Sequence, residues 1–166
     1  AAGHPLVVEM IPYTAFGRNM RNEMPDKWEQ VKAYVRDHQK GCCKICRQLT
    51  YQIECHEEWS FRDEIAFPAH SNFKNAPPRQ KLERVIGVCS MCHLCIHLGR
   101  TQKVAEAERI DMAQVVLHFL RVAHMTPEEL RWHIERAQSD WRRRSRVDWV
   151  QDYSILNRPP WREICS

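Results

Sequence analysis

Apolar residues recur at helical spacing toward both ends of the chain and at strand spacing in its middle. After Met24-Pro25-Asp26, the residues Trp28, Val31 and Val35 share one face. That spacing predicts a helix from about Pro25 to His38, ended by Gly41. Tyr51, Ile53 and Cys55 alternate with Gln52 and Glu54, the pattern of a short half-buried strand. Leu82 to Val88 is rich in β-branched residues and reads as a second strand. The stretch between, Pro68 to Lys81, holds adjacent prolines, two asparagines and several basic residues, and reads as a loop. His93 to Leu98 is expected as a short helix stopped by Gly99. Asp111 then caps a helix with a broad stripe of Met112, Val115, Val116, Phe119, Leu120 and Ala123. Thr126-Pro127-Glu128-Glu129 is a capping box that starts a last long helix, with Leu130, Ile134, Ala137 and Trp141 inward.

This order gives an α+β chain without internal repeats. Three segments are expected within one domain: an arm and helix over 1–40, a zinc-binding core over 41–100, and a helical region over 101–166. The length of 166 residues suits one ordinary core. With 28% charged and 43% hydrophobic residues the composition is globular, and six tryptophans are expected to anchor the interior. The net charge of +4 permits a polyanionic partner without requiring one. Val115 to Leu120 is broken by His118 and is far short of the ~20 apolar residues of a membrane span. No charged-then-apolar leader opens the chain, though Ala1 to Pro5 reads as an added remnant that leaves a removed leader open.

The cysteines change the picture most. Of eight, four fall in two C-x2-C knuckles, Cys43-Lys-Ile-Cys46 and Cys89-Ser-Met-Cys92. Such pairs suit one tetrahedral zinc, whose closed four-thiolate shell would make it structural. Disulfides are the competing reading. The remaining thiols, Cys42, Cys55, Cys95 and Cys165, are expected free and partly buried, as in a reducing cytosol. Cys89-Ser-Met-Cys92-His93 also spells the c-type haem signature, but that would leave the first knuckle without a partner.

Three histidines are surplus to such a zinc. His93 and His97 stand four apart on a helical segment and can share a ligand; His56 closes a strand that could face them. Three imidazoles would leave positions open for water and substrate and lean towards a transition metal. Glu57 and Glu58 beside His56 could take a proton from bound water or orient a histidine, or could simply be solvated near Arg62 and Lys74. Ser60 stands where H-E-x-x-H would need its second histidine, which argues against a zincin protease.

Ile53-Glu-Cys-His-Glu-Glu-Trp59, followed by Val88-Cys-Ser-Met-Cys-His-Leu-Cys-Ile-His-Leu-Gly99, resembles the HNH endonuclease superfamily in a zinc-knuckle form of small bacterial and phage proteins. Softer agreement extends from Val7 to Leu156. The resemblance implies a ββα-metal core, hydrolysis of DNA phosphodiesters with one divalent ion, and His93 and His97 as helix ligands. If Ile53 and Cys55 face inward, His56 falls on the first metal position and Glu57 on the usual base histidine. If Cys55 takes the metal position, His56 becomes the base. Asn72 and Asn75 are weak matches for the family's central asparagine.

The expected cofactors are therefore structural Zn2+ and a second divalent ion, Mg2+, Mn2+, Ni2+ or Zn2+. The expected catalytic residues are His56 and Glu57. Lys74, Arg79, Lys81, Arg84, Arg142, Arg143, Arg144 and Arg146 are candidates for phosphate contacts. The arginine run equally suits a solvated helix end that offsets the macrodipole. Expected partners are duplex or branched DNA and further copies of the chain, with no membrane, in the cytoplasm. The competing class is a non-catalytic zinc module that binds nucleic acid or protein.

Overall fold

The computed structural model describes residues 3–62 and 77–166. Among these, a 3-10 turn (Tyr13–Ala15) precedes α1 (Met20–Glu23) and α2 (Pro25–Gln39), followed by strands β1 (Glu54–Phe61) and β2 (Arg79–Val88). Helices α3 (Ser90–Ile96), α4 (Leu98–Val104), α5 (Met112–Ala123) and α6 (Pro127–Arg144) come next. The short strand β3 (Val150–Asp152), a second 3-10 turn (Ser154–Asn157) and α7 (Trp161–Ile164) close the chain. The sheet order is β1-β2-β3, with β3 parallel to β2 and Gln80 opposite Gln151. No helix among the described residues is long and apolar enough to cross a membrane.

Local chemistry explains most of these boundaries. The Asp111 side chain accepts the Ala113 amide at 3.0 Å and starts α5. Thr126 and Glu129 exchange side-chain bonds with each other's amides at 2.7 and 3.2 Å, the reciprocal capping box that opens α6. Gly41 takes a positive φ of 75° just after α2, a conformation that glycine adopts without strain.

Three expectations shift. β1 starts at Glu54 rather than Tyr51, because the Thr50 hydroxyl takes the Gln52 amide (3.2 Å) and holds the preceding residues in a turn. β2 starts at Arg79, so Arg79 and Lys81 lie in the sheet and not in the loop. The helix after the second knuckle begins at Ser90, capped by the Cys89 sulfur on the Cys92 amide, and Gly99 lies inside α4 instead of stopping it. β3 had no apolar alternation to announce it.

Contacts group the chain into two compact units, and β1 and β2 each continue from one into the other. The first comprises Ala1–Met10, Gln39–Glu54 and Gly87–Asp140. It buries Leu6, Ile45, Ile53, Val88, Ile96, Val115, Phe119 and Leu130, with α3 packed on α5. The Val8 amide donates to His133 Nε2 at 3.0 Å, and burial holds His133 below its ordinary pKa. The second unit comprises Ile11–His38, Cys55–Ile86 and Trp141–Ser166. Its core joins Met20, Trp28, Val31, Val35, Trp59, Leu82, Val85, Leu156 and Trp161. Each large apolar side chain so buried contributes about 1.5–3 kcal/mol. Trp28, Trp59, Trp149 and Trp161 are interior as expected; Trp132 is 66% exposed, with Arg136 over its ring.

Candidate metal centres

In the first unit one glycine is tied to the first knuckle and leads into the second. Gln39, the last residue of α2, holds both polar groups of Gly87: its Oε1 accepts the Gly87 amide (2.7 Å) and its Nε2 donates to the carbonyl (2.9 Å). The Lys44 amide, inside the first knuckle, donates to that same carbonyl at 3.0 Å. Two residues later the chain reaches Cys89. A Cβ at position 87 would sit 2.4 Å from Ile53 Cγ2, so only glycine fits.

The sulfurs of Cys43, Cys46, Cys89 and Cys92 all lie within 4.8 Å of one another. A tetrahedral zinc with bonds of about 2.3 Å requires sulfurs roughly 3.8 Å apart. Cys46 and Cys89 are 3.7 Å apart. All eight cysteines are free thiols, so the disulfide alternative is not realised. Hydrogen bonds from the Cys89 and Cys92 thiols push Cys43 far below the usual thiol range. The same interactions with Cys43 raise Cys89 to about 11 and Cys92 higher still. Among these three, one thiolate forms readily and resists a second beside it, and a divalent cation would relieve that repulsion. The group is thus a fitting holder for a metal ion.

The histidines form a different cluster. Nδ1 of His93 meets Oε2 of Glu54 at 2.5 Å. A carboxylate at this contact accepts, so Nδ1 carries the proton and the ring's lone pair lies on Nε2. His93 and His97 stack edge-on with centroids 4.9 Å apart. Side chains two apart on a strand share a face, which puts His56 beside Glu54. One ligand nitrogen each from His56, His93 and His97 lies within 4.8 Å of the others. His56 is buried, while His93 and His97 are half-buried.

The residues directly before and after His56 face elsewhere. The Cys55 side chain packs against the Trp59 and Val35 cluster. Glu57 Oε1 accepts the Met20 amide at the start of α1 (2.8 Å), and Glu58 pairs with Arg84 at 3.2 Å. Glu54 was legible only as an outward strand residue. The signal that could have found it is its period-two spacing from His56.

Among the basic candidates, Arg79 faces Asp152 (3.5 Å) and Lys81 faces Glu83 (3.7 Å). Lys74, like Asn72 and Asn75, lies outside the described residues. Arg142, Arg143 and Arg144 form the last turn of α6, with Arg146 just beyond and Arg144 over the Phe61 ring at 5.4 Å. The Tyr13 amide donates to Ser145 Oγ (2.9 Å), which anchors the segment bearing the exposed Tyr13 and Phe16 to the chain just past that basic helix end. No family model, curated protein or solved structure matches the chain.

Proposed function

We propose that this chain is a metal-dependent nuclease of the HNH type that hydrolyses DNA phosphodiester bonds, with zinc in the cysteine centre. The observation that carries the reading is the gathering of His56, His93 and His97 with Glu54 behind His93. A divalent ion at three imidazoles keeps open positions, where it can activate water and stabilise the leaving oxygen of a phosphodiester. Glu54 holds His93 in the tautomer that presents Nε2. With Cys55 turned to the apolar cluster, His56 takes the ligand position and not that of the base. Arg142, Arg143, Arg144 and Arg146 supply phosphate contacts, and Tyr13 and Phe16 offer stacking surfaces beside them.

Glu57 favours a second reading. Its carboxylate supports α1 from the face of β1 opposite His56, where the family's usual base would not be useful. A metal-bearing module that binds nucleic acid without cutting it fits that geometry. Nicking of supercoiled plasmid with Mg2+, Mn2+, Ni2+ or Zn2+ separates the two. The nuclease reading expects cleavage in the wild type and loss of at least about 100-fold in His93→Ala, with cysteine-bound zinc unchanged. Intact plasmid with retained gel-shift selects the binding module. Absence of both cleavage and DNA affinity overturns both.

A further inference from the structure

We infer that His118 and Arg121 belong to the cysteine metal centre: a neutral His118 donates its Nε2 hydrogen to the Cys92 sulfur, and Arg121 fixes that tautomer from behind. This rests on the cysteine group holding a metal ion, and it extends that centre beyond the two knuckles.

His118 interrupts the apolar stripe of α5 and is only 6% exposed. Burying an imidazole in such a stripe is costly unless both nitrogens find partners. Both do. Nε2 lies 3.2 Å from Cys92 Sγ, and Arg121 Nη2 lies 3.2 Å from Nδ1. A guanidinium only donates, so Nδ1 must be the acceptor. The ring's single hydrogen is then on Nε2 and points at sulfur. Cys92 already lies in the thiolate cluster, and Cys95, three residues on, donates its thiol to the Val115 carbonyl of the same helix. Helix α5 is therefore joined to the centre at two points.

The direction of the chain Arg121 to His118 to Cys92 gives it a purpose. Four thiolates around a divalent ion carry about two surplus negative charges. A hydrogen bond to one sulfur, backed by a cation, spreads part of that charge towards the exposed Arg121. The thiolate so held is less readily protonated or lost from the metal. Outer hydrogen-bond partners of this type are worth about 10–100-fold in metal affinity.

The test uses the full zinc-loaded chain and follows zinc transfer to a chromogenic chelator. His118→Leu is expected to release zinc at least about 10-fold faster. His118→Gln, whose amide N–H can occupy the place of Nε2–H, is expected to stay near the wild type. Arg121→Met lies at an exposed position and is expected to fall between them. In the Co2+-substituted protein, loss of the hydrogen bond should move the thiolate-to-metal charge-transfer band to lower energy in His118→Leu and not in His118→Gln. Packing alone would not produce that shift. Equal release rates and an unmoved band in both His118→Leu and Arg121→Met overturn the inference. Should His118→Leu fail to fold, Arg121→Met decides by the same two readouts. A wild type that binds no zinc at the cysteines is a separate result, which removes the centre itself.

Discussion

The cysteine cluster and the histidine cluster draw on one short stretch, Cys89 to His97, yet they are built to opposite specifications. The first is nearly sealed, with Cys43 and Cys92 wholly inaccessible, and its four sulfurs lie within 4.8 Å of one another. The second gathers three nitrogens, two of them on half-buried rings, and stops one ligand short of closure. A sealed shell holds chain segments together; an unsealed one admits a substrate. Because His93 follows Cys92 directly and His97 caps the same helix, the element that carries both histidines is tied at its start to the cysteine cluster.

The sharpest way to break this contrast is Cys43→Ser against His93→Ala. Structural zinc binding in small domains is worth about 10–16 kcal/mol, so Cys43→Ser should abolish one equivalent of metal and the cooperative thermal transition of the first unit. His93→Ala should keep the cysteine-bound zinc and cost no more than about 1 kcal/mol in calorimetry. Equal damage from both would mean that the two clusters share one structural role. Next in size is Glu54→Gln, which removes the carboxylate behind His93. On the proposed nuclease reading, affinity for an ion at the histidines should fall about 10–100-fold by titration calorimetry, with metal at the cysteines unaffected.

Gly87→Ala comes third. Its methyl would meet Ile53 Cγ2 at 2.4 Å and Gln39 Nε2 at 2.9 Å. A loss of about 1–3 kcal/mol in urea unfolding is expected, together with weaker zinc retention. An unchanged midpoint would remove Gly87 from the account of how the knuckles are registered. The smallest effect concerns His133, far from either cluster in sequence. Burial depresses its pKa in the folded chain, so its contribution is fully present above the unfolded value near 6.5 and is lost as pH falls through the lower folded value. Protonation would also remove the acceptor for the Val8 amide. His133→Gln should flatten that part of the stability-pH curve; an identical slope would exclude His133 as its source.

The members of both clusters were legible because thiolate and imidazole spacing speaks directly to what could share an ion. Cys43, Cys46, Cys89 and Cys92 come together as their knuckle spacing implied, and His93 and His97 follow from helical periodicity. The helix boundaries at Asp111 and Thr126 were equally plain, since capping is local. What the sequence concealed depends on contacts between distant segments. Glu54 reads as an ordinary polar strand residue until His93 is placed against it. Glu57 stands next to His56 in sequence, but the alternation of the strand sends its carboxylate to the Met20 amide. His118 looked like a blemish in an apolar stripe because its partner, Cys92, belongs to another helix. β3 is three residues long and is held by its pairing with β2, not by any preference of its own.

The grip of Gln39 on Gly87 has a thermodynamic consequence. One carbonyl takes hydrogen bonds from the end of α2 and from the first knuckle, and its own residue leads into the second. Both knuckles are thereby tied to one peptide unit by protein groups. An ion held there has no such site in the unfolded chain, so its binding favours the folded state. Its affinity then appears as resistance to unfolding, so metal concentration and melting temperature become two readings of a single equilibrium.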